Sequence, residues 1–334
     1  MITQTRPAVP GWTVTQDGGP GPLMRQCLEA AIAAPSIFNS QPWRFRVGAA
    51  GVDVLVDRAR AVKIIDEYGR ERLISVGAAV FNLRVAMLSL GRTPVLRPLP
   101  DGPPAVRVAH VTPGRPVPVS DTAAALARAI PRRHSNRRPF AEVPVEPWVL
   151  DEVVEAARAE GAELTICDAV TREDVLDVVR FAEQRWRGDP RYLAELAWWT
   201  RWEYGRADGV PPEAHGPYAQ AEGMPVRDFG LATPGRRRAV EPFERASSIA
   251  VLTTDADDPA AWLRAGQALQ RVLLTATVRG LATTPFTQPL EIPALRRFVC
   301  GPGDPRFPQA IVRLGYGPPC APSPRRPLHE VLVR

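Results

Sequence analysis

The chain has 334 residues, of which 45% are hydrophobic and 23% charged, so it can bury one large core or two modest ones without disulfide staples. Its formal net charge of +6 comes almost wholly from arginine, since Lys63 is the only lysine. Acidic residues are scattered among the arginines, and no recognition-helix or aromatic-basic RNA motif stands out. We therefore expect no nucleic acid partner.

The cysteines do not indicate a metal site, and no apolar run indicates a membrane segment. The four cysteines lie too far apart for a CxxC motif, and the four histidines are equally scattered. The first residues lack a charged flank followed by an apolar core, and no run reaches about 18 apolar residues. We expect a cytoplasmic protein with no metal and no membrane partner.

The first half predicts a helix, a hairpin, a long helix and two short strands. Helices are predicted over 23–34 and 74–90, and strands over 43–47, 52–57, 95–99 and 105–111. The second helix is apolar on nearly every side, which indicates burial on more than one side. A proline-rich linker at 113–120 then separates a first unit, 20–112, from the rest.

The second half predicts a similar series of elements with an insertion. Helices are predicted over 121–130, 146–160, 172–187, 191–202, 260–279 and 292–298, and strands over 164–168, 247–254 and 309–315. The long polar segment 205–242 is interpreted as a candidate lid, although disorder or an ordinary excursion is also compatible with it. Each half orders helix, strand, long apolar helix and terminal strand, which favours a tandem repeat with its second unit at 121–334.

Two prolines enclose a polar loop where the first helix passes into the first strand. Between Pro35 and Pro42, the side chains of Ser36, Asn39 and Gln41 offer hydrogen-bond donors and acceptors. Such a loop suits an amide-rich ring such as the pyrimidine edge of a flavin. An ordinary capped turn, whose polar side chains only satisfy the backbone, remains the alternative.

A basic cluster, Arg132 to Phe140, follows about a hundred residues later. Arginine carries a planar fork of donors that grips a phosphate in a bidentate way, so the cluster is a candidate anion clamp. A solvated face or a DNA-facing patch is the alternative.

The polar loop resembles the signature A-P-S-x-x-N-x-Q-P-W-x-F of the flavin-dependent nitroreductase family, and every fixed position is present. The resemblance implies an α+β nitroreductase-like fold with an antiparallel-dominated sheet, long buried helices and an FMN cofactor. It also implies that Pro35, Ser36, Asn39 and Gln41 contact the flavin.

The basic cluster is similar to the phosphate clamp of the same family, written R-x-S-x-R/K. The similarity implies that Arg133 and Ser135 bind the FMN phosphate and that Arg137 lies near flavin N1 and O2. A positive charge there stabilises the anionic reduced flavin. The basic tail is similar to the closing segment of the family, which implies a further phosphate contact from Arg325, with Arg326 as the second candidate.

The segment 280–288 is similar to the family loop whose backbone amides meet flavin N5 and O4. This implies cofactor contacts from Pro285, Thr287 and Gln288. The family commonly has a Glu-Gly pair where this chain has Thr287 and Gln288, and this departure puts the usual environment for hydride transfer in doubt.

Each half keeps the motif that the other half lacks. No R-x-S-x-R element precedes Ala34, and the second half carries no copy of the polar-loop signature. The resemblance is therefore closest to the fused-repeat, FMN-binding nitroreductase-like proteins known from mycobacterial dormancy. It implies two pseudo-repeated halves that form an internal dimer around one FMN, in a monomer or a weak homodimer.

The resemblance implies an FMN-dependent oxidoreductase that transfers hydride between flavin N5 and a small organic substrate. NADH or NADPH is the candidate electron donor, and no side-chain nucleophile is needed. The alternative is a protein that stores or sequesters FMN without turnover. An arginine-rich scaffold or nucleic-acid protein that has lost flavin is a third hypothesis.

Overall fold

A computed structural model describes residues 11–15, 18–103, 106–203, 205–219, 223–232, 238–245, 247–301 and 303–333. Two parts of the predicted lid, 220–222 and 233–237, lie outside these residues, as do Ala105 of a predicted strand and Arg334 of the predicted second unit.

The first half forms one antiparallel sheet with two helices. Its elements are α1 (Pro22–Ile32), β1 (Trp43–Val47), β2 (Val52–Val56), α2 (Arg70–Ser89), β3 (Arg92–Pro98) and β4 (Arg107–Pro116). The strand order is β1-β2-β4-β3, and each neighbouring pair is antiparallel. Strand β4 runs into the predicted linker, because its last residues still pair with β3.

The second half forms a second antiparallel sheet, ordered β5-β8-β10-β9, and a short parallel pair, β6-β7. Its helices are α3 (Asp121–Ala129), α4 (Pro147–Arg158), α5 (Ala169–Arg187), α6 (Pro190–Thr200), α7 (Pro259–Val278), α8 (Pro293–Arg296) and α9 (Leu328–Val331). Its strands are β5 (Glu163–Ile166), β6 (Tyr218–Ala219), β7 (Val240–Glu241), β8 (Ser248–Thr254), β9 (Ala282–Phe286) and β10 (Phe307–Gly315).

Local chemistry places the ends of several helices. Ser120 precedes α3 and its hydroxyl accepts from the backbone N–H of Ala123, and Asp258 caps α7 by accepting from Ala261. Both caps satisfy donors that the first turn of a helix leaves unpaired. Pro259 follows the second cap at the first helical position, where its missing N–H costs nothing.

Helices α2 and α7 cross closely at the centre of the molecule. A Cβ on Gly77 would collide with the carbonyl oxygen of Leu263, and a Cβ on Gly266 would collide with that of Ile74. Each glycine is the eighth residue of a 20-residue helix. Helix α2 is long and apolar enough to cross a membrane, but 78% of its most apolar window is buried in the protein, as expected of a core helix.

The C-terminal tail leaves the second sheet and packs against the first. Leu332 forms a parallel bridge with Phe45, and the N–H of Val333 donates to the Phe45 carbonyl oxygen at 2.9 Å. The side chain of Arg326 lies 3.8 Å from Asp57. The tail therefore joins the two halves across the same side of the molecule as the polar loop.

Candidate functional site

The polar loop is a rigid turn with an unusual backbone. Phe38, Asn39 and Gln41 have φ angles of 48°, 52° and 51°, in the left-handed region that residues other than glycine seldom adopt. The N–H of Gln41 donates to the Ser36 hydroxyl at 2.9 Å, which closes the turn. Residues in this backbone region raise the free energy of the folded state, so contacts with the surrounding structure must hold the loop in this conformation. Strained residues of this kind tend to cluster at functional sites.

The amides of the signature supply those contacts. Asn39 Nδ2 donates to the backbone oxygens of Gly209 and Pro324, both at 3.0 Å, and Gln41 Nε2 donates to the oxygen of Ala207 at 2.8 Å. Both side chains thus tie the first-half loop to segments of the second half.

The basic cluster is fixed to strand β9. The N–H of Asn136 donates to the Thr283 carbonyl oxygen at 2.8 Å, and the Thr284 hydroxyl donates to the backbone carbonyl oxygen of Asn136. Ser135 forms a parallel bridge with Thr283. The clamp therefore lies beside the strand that carries Pro285.

A buried ion pair holds the other end of the cluster. The side chains of Arg313 and Glu244 are both 0% exposed and are bonded to each other. Glu244 Oε2 accepts from the N–H of Phe140 at 2.8 Å, and Arg313 Nη1 donates to the Arg138 carbonyl oxygen at 3.2 Å. The backbone of the clamp is thus bonded on both sides.

Arg133 lies close to Arg325, and both Arg133 and Arg137 lie close to Cys320, so three arginines share this region. Arg133 is 3% exposed, and burial together with the charge of Arg325 lowers its pKa to about 9. Burial also lowers the pKa values of Arg137 and Arg325 to about 10. Among the residues that the structure describes, none of the three forms an ion pair, and Nε of Arg133 has no hydrogen-bond partner. Buried cations of this kind need an anion to offset their desolvation.

Arg325 connects the clamp to the polar loop. Its Nη1 donates to Asn39 Oδ1 at 3.0 Å, and its charge acts on Arg133. Asn39 and Arg133 therefore both lie close to Arg325. Arg326, the second candidate, instead pairs with Glu330 at 3.2 Å and with Asp57.

A cavity of about 100 Å³, called here the cofactor cavity, is lined by both halves. The predicted residues Pro35, Ser36, Ser135, Arg137, Pro285 and Thr287 are among its lining. The other predicted residues do not line it; these are Asn39, Gln41, Arg133, Gln288, Arg325 and Arg326. The Gln288 amide instead donates to the backbone oxygen of Pro225 at 3.2 Å. The remaining lining is Ile37, Phe38, Glu71, Ile74, Ser75, Ala78, Val226, Arg227, Phe229, Leu269, Thr284 and Phe286.

Part of the predicted lid forms one wall of this cavity. Phe229 is 4% exposed, lies edge-on to Phe38 and has the guanidinium of Arg137 over its ring at 4.5 Å. Arg227 lies over the Phe38 ring at 5.2 Å and forms an ion pair with Glu291. The segment 223–232 is therefore packed over the cavity.

The lining residues that the sequence analysis missed are mainly apolar, but two of them, Glu71 and Arg227, are charged. Glu71 reaches the cavity from the first turn of α2, where it pairs with Arg70, and Arg227 reaches it from a segment without periodicity. Burial raises the pKa of Glu71. A charged residue at the start of a helix ordinarily indicates a solvated surface. The only signal in the sequence that Glu71 is buried was the apolar character of the rest of α2.

His134 gives the apoprotein a testable dependence on pH. Burial and the charges of Arg133 and Arg325 lower the pKa of His134 from 6.5 to about 4. The unfolded chain therefore binds a proton that the folded chain excludes, and stability should fall as the pH drops from 6.5 towards 4. Thermal unfolding across this range should show a shallower decline for His134→Gln.

The matched control is His329→Gln, which changes an exposed histidine on α9. Its decline should follow that of the wild type. Equal slopes for His134→Gln and the wild type would contradict the assignment.

These features define a protein of the nitroreductase family. The chain matches the family described as "Nitroreductase family" over residues 130–316, more than half of its length, and it belongs to that family. The fold expected from the resemblance, α+β with antiparallel sheets and long buried helices, is confirmed, and so is the predicted class of flavin-dependent oxidoreductase.

Two relatives from Mycobacterium tuberculosis H37Rv match along nearly the whole chain. The chain is 36% identical to "Putative NAD(P)H nitroreductase Rv3131" over 321 residues, covering 92% of this chain and 90% of the relative. It is 31% identical to "Putative NAD(P)H nitroreductase acg" over 329 residues, covering 97% of each. Among solved structures, the FMN-dependent nitroreductase NfnB of Mycobacterium smegmatis in complex with NADPH matches at 16% identity and a TM-score of 0.39, covering 63% of this chain and 97% of NfnB.

Proposed function

We propose that this chain is an FMN-dependent oxidoreductase that binds one FMN between its two halves. The bound flavin would exchange hydride between its N5 and a small organic substrate, with NADH or NADPH as electron donor. The observation that carries the proposal is the group of three arginines, Arg133, Arg137 and Arg325, which form no ion pair among the described residues. Arg325 is also bonded to Asn39 of the signature loop.

The residues present fit a nucleotide with one phosphate. Arg133, Arg325 and the Ser135 hydroxyl would hold the phosphate, whose two charges match two guanidinium groups. Arg137 would lie beside the polar edge of the ring, and the strand that carries Pro285 would offer backbone N–H groups to it. Each half contributes contacts that the other lacks, so neither half would bind the cofactor alone.

The crossing of α2 and α7 supports the proposal that the halves, 20–112 and 121–334, are copies of one unit. Gly77 and Gly266 stand at the same position in helices of the same length, and each meets a carbonyl oxygen of the other helix. An approximate two-fold relation would produce this reciprocal contact. A chain that contains its own dimer needs no second copy to complete the site.

Storage of FMN without turnover is the second candidate. The cofactor cavity measures about 100 Å³, whereas ligand pockets commonly span roughly 300–1,000 Å³. Segment 223–232 must therefore move outward when a flavin enters, and its return over the ring would exclude a substrate. Val226 and Phe229 supply the apolar surface for such a cover.

Anaerobic reduction separates the two candidates. Purified protein should be yellow, with one flavin per chain, and mixing with NADH or NADPH should bleach it. An organic acceptor such as a quinone should then restore the colour with a matching amount of product. A colourless protein that takes up no added FMN would contradict flavin binding, and bound flavin that no nicotinamide nucleotide reduces would favour storage.

A further inference from the structure

Residues 225–229 of the predicted lid form part of the wall of the cofactor cavity; we call them the plug. Arg227 and Phe229 line the cavity, and both are buried. The ring of Phe229 lies edge-on to Phe38 of the polar loop, with the ring centroids 5.6 Å apart, and the guanidinium of Arg137 lies over the same ring. Arg137, which the family resemblance assigns to the edge of the flavin, is therefore in contact with the plug.

Arg227 fastens the plug to the turn that follows strand β9. Its Nη1 donates to the Tyr192 hydroxyl at 3.0 Å, and its Nη2 donates to the Thr287 hydroxyl at 3.2 Å. The same Nη2 forms an ion pair with Glu291, which we call the latch. The two side chains of the latch are 6% and 0% exposed, and a buried pair of this kind is costly to break. These contacts hold the plug in the closed position.

Thr287 and Gln288, which stand where the family commonly has a Glu-Gly pair, also contribute to the closed position. The family resemblance assigns backbone amides of this loop to flavin N5 and O4. Here the N–H of Thr287 donates to Gln288 Oε1 at 3.1 Å, and Gln288 Nε2 donates to the backbone oxygen of Pro225 at 3.2 Å. The Gln288 side chain therefore occupies an N–H assigned to the flavin and at the same time holds the first residue of the plug.

The closed plug leaves too little room for a flavin. The cofactor cavity measures about 100 Å³, whereas sites for small molecules commonly span roughly 300–1,000 Å³. The plug must therefore leave this position before the ring of a flavin enters. When only a fraction of the molecules is open, the apparent affinity for the ligand falls in proportion to that fraction.

We propose that the plug closes the cofactor site of the apoprotein and that FMN enters only when the latch between Arg227 and Glu291 breaks. The inference rests on the proposed function and concerns the regulation of the same site. No covalent step is involved, because FMN only replaces the contacts of the plug with its own. The apoprotein therefore loads FMN at a rate that the latch determines, and the rate of encounter with FMN does not limit it.

The test follows the binding of FMN to the apoprotein by stopped-flow flavin fluorescence, for the wild type and for Arg227→Met. The observed rate for the wild type should level off as the FMN concentration rises, because opening precedes binding. Methionine keeps an apolar side chain over Phe38 but removes the charge of the latch. We expect the plateau rate to rise at least about tenfold, a low figure for the loss of a buried ion pair, and FMN to bind at least as tightly. Removal of a residue that holds the flavin would weaken binding instead.

Glu291→Gln is the second variant, and it decides the test if Arg227→Met does not fold. It keeps the size of the side chain and leaves a weaker hydrogen bond in place of the ion pair, so its plateau rate should also rise. The matched control is Arg84→Met, which removes a guanidinium that pairs with Glu160 and does not line the cofactor cavity. Glu160 keeps its second ion pair, with Arg271 at 2.9 Å. This control should load FMN at the wild-type rate.

Three results would overturn the plug. One is a wild-type rate that rises in proportion to FMN without a plateau. Another is unchanged loading, or weaker FMN binding, in the latch variants, and the third is an equal acceleration in Arg84→Met. If the wild type binds no FMN, the proposed function itself fails, which is visible before any variant is compared.

Discussion

Replacing Arg133 with alanine is expected to weaken FMN binding by about ten- to a hundredfold. A charge-assisted hydrogen bond to a phosphate contributes about 1.5–3 kcal/mol, and Arg133 is buried with no carboxylate to compete for it. The apoprotein should not lose stability, because the variant removes a buried cation that has no ion-pair partner among the residues described by the structure. Titration of apoprotein with FMN, followed by flavin fluorescence, measures the first effect, and thermal unfolding measures the second.

Arg132→Ala is the matched control for that experiment. Arg132 is the exposed neighbour of Arg133, and its side chain donates only to the Thr277 carbonyl oxygen, at 2.9 Å, among the described residues. It should bind FMN like the wild type. Unchanged affinity in Arg133→Ala would contradict the role of Arg133 in the clamp. An equal loss in Arg132→Ala would show that general positive charge, not this clamp, attracts the cofactor.

Periodicity was enough to predict most helices and strands, because burial on one face leaves a regular pattern. The prediction over 74–90 found α2, whose first turn was missed because Arg70 and Glu71 resemble an exposed helix start. The sequence analysis assigned the residues of strand β9 to a cofactor loop and predicted no strand there. Its pairing partner, β10, lies more than twenty residues further along the chain, and Pro285 within it argues locally against a strand.

The prediction of the candidate site was limited in the same way, by contacts between residues that are distant in the sequence. The loop and the clamp were assigned from their resemblance to the family motifs, since their residue types alone left an ordinary turn and a solvated surface open. In the structure, Arg325 lies close to both. Arg227 and Glu71 were not found, because each is a charged residue whose burial depends on a partner elsewhere in the fold. Single-sequence reasoning assigns such residues to the surface.

The lid segment was predicted from its length and its polar composition. Three of its apolar residues, Met224, Val226 and Phe229, are buried. Two of its charged residues, Arg227 and Asp228, are buried as well and form ion pairs with Glu291 and Arg238. Average polarity therefore indicated an excursion, but buried apolar side chains and ion pairs such as the one with Glu291 decide where the segment lies.

Replacing Glu244 with glutamine is expected to destabilise the protein by about 3–5 kcal/mol. Glu244 and Arg313 are both fully buried, so removing the carboxylate leaves a guanidinium in the interior without its counter-charge. The same carboxylate accepts from the Phe140 N–H, so the clamp should also loosen and FMN affinity should fall. Urea unfolding of the apoprotein and FMN titration measure the two effects separately.

Two comparisons isolate the cause of that loss. Glu241→Gln changes a carboxylate only three residues away that lies 3.6 Å from Arg138 and is 32% exposed, so it should cost no more than about 1 kcal/mol. The double variant Glu244→Met with Arg313→Met removes both charges. It should recover much of the stability lost by Glu244→Gln, because well-packed apolar side chains can replace a buried ion pair without loss of stability. It should not recover FMN affinity, because the bonds from Glu244 to Phe140 and from Arg313 to Arg138 are then both absent. Recovery of both properties would mean that the pair supports the core alone and does not position the clamp.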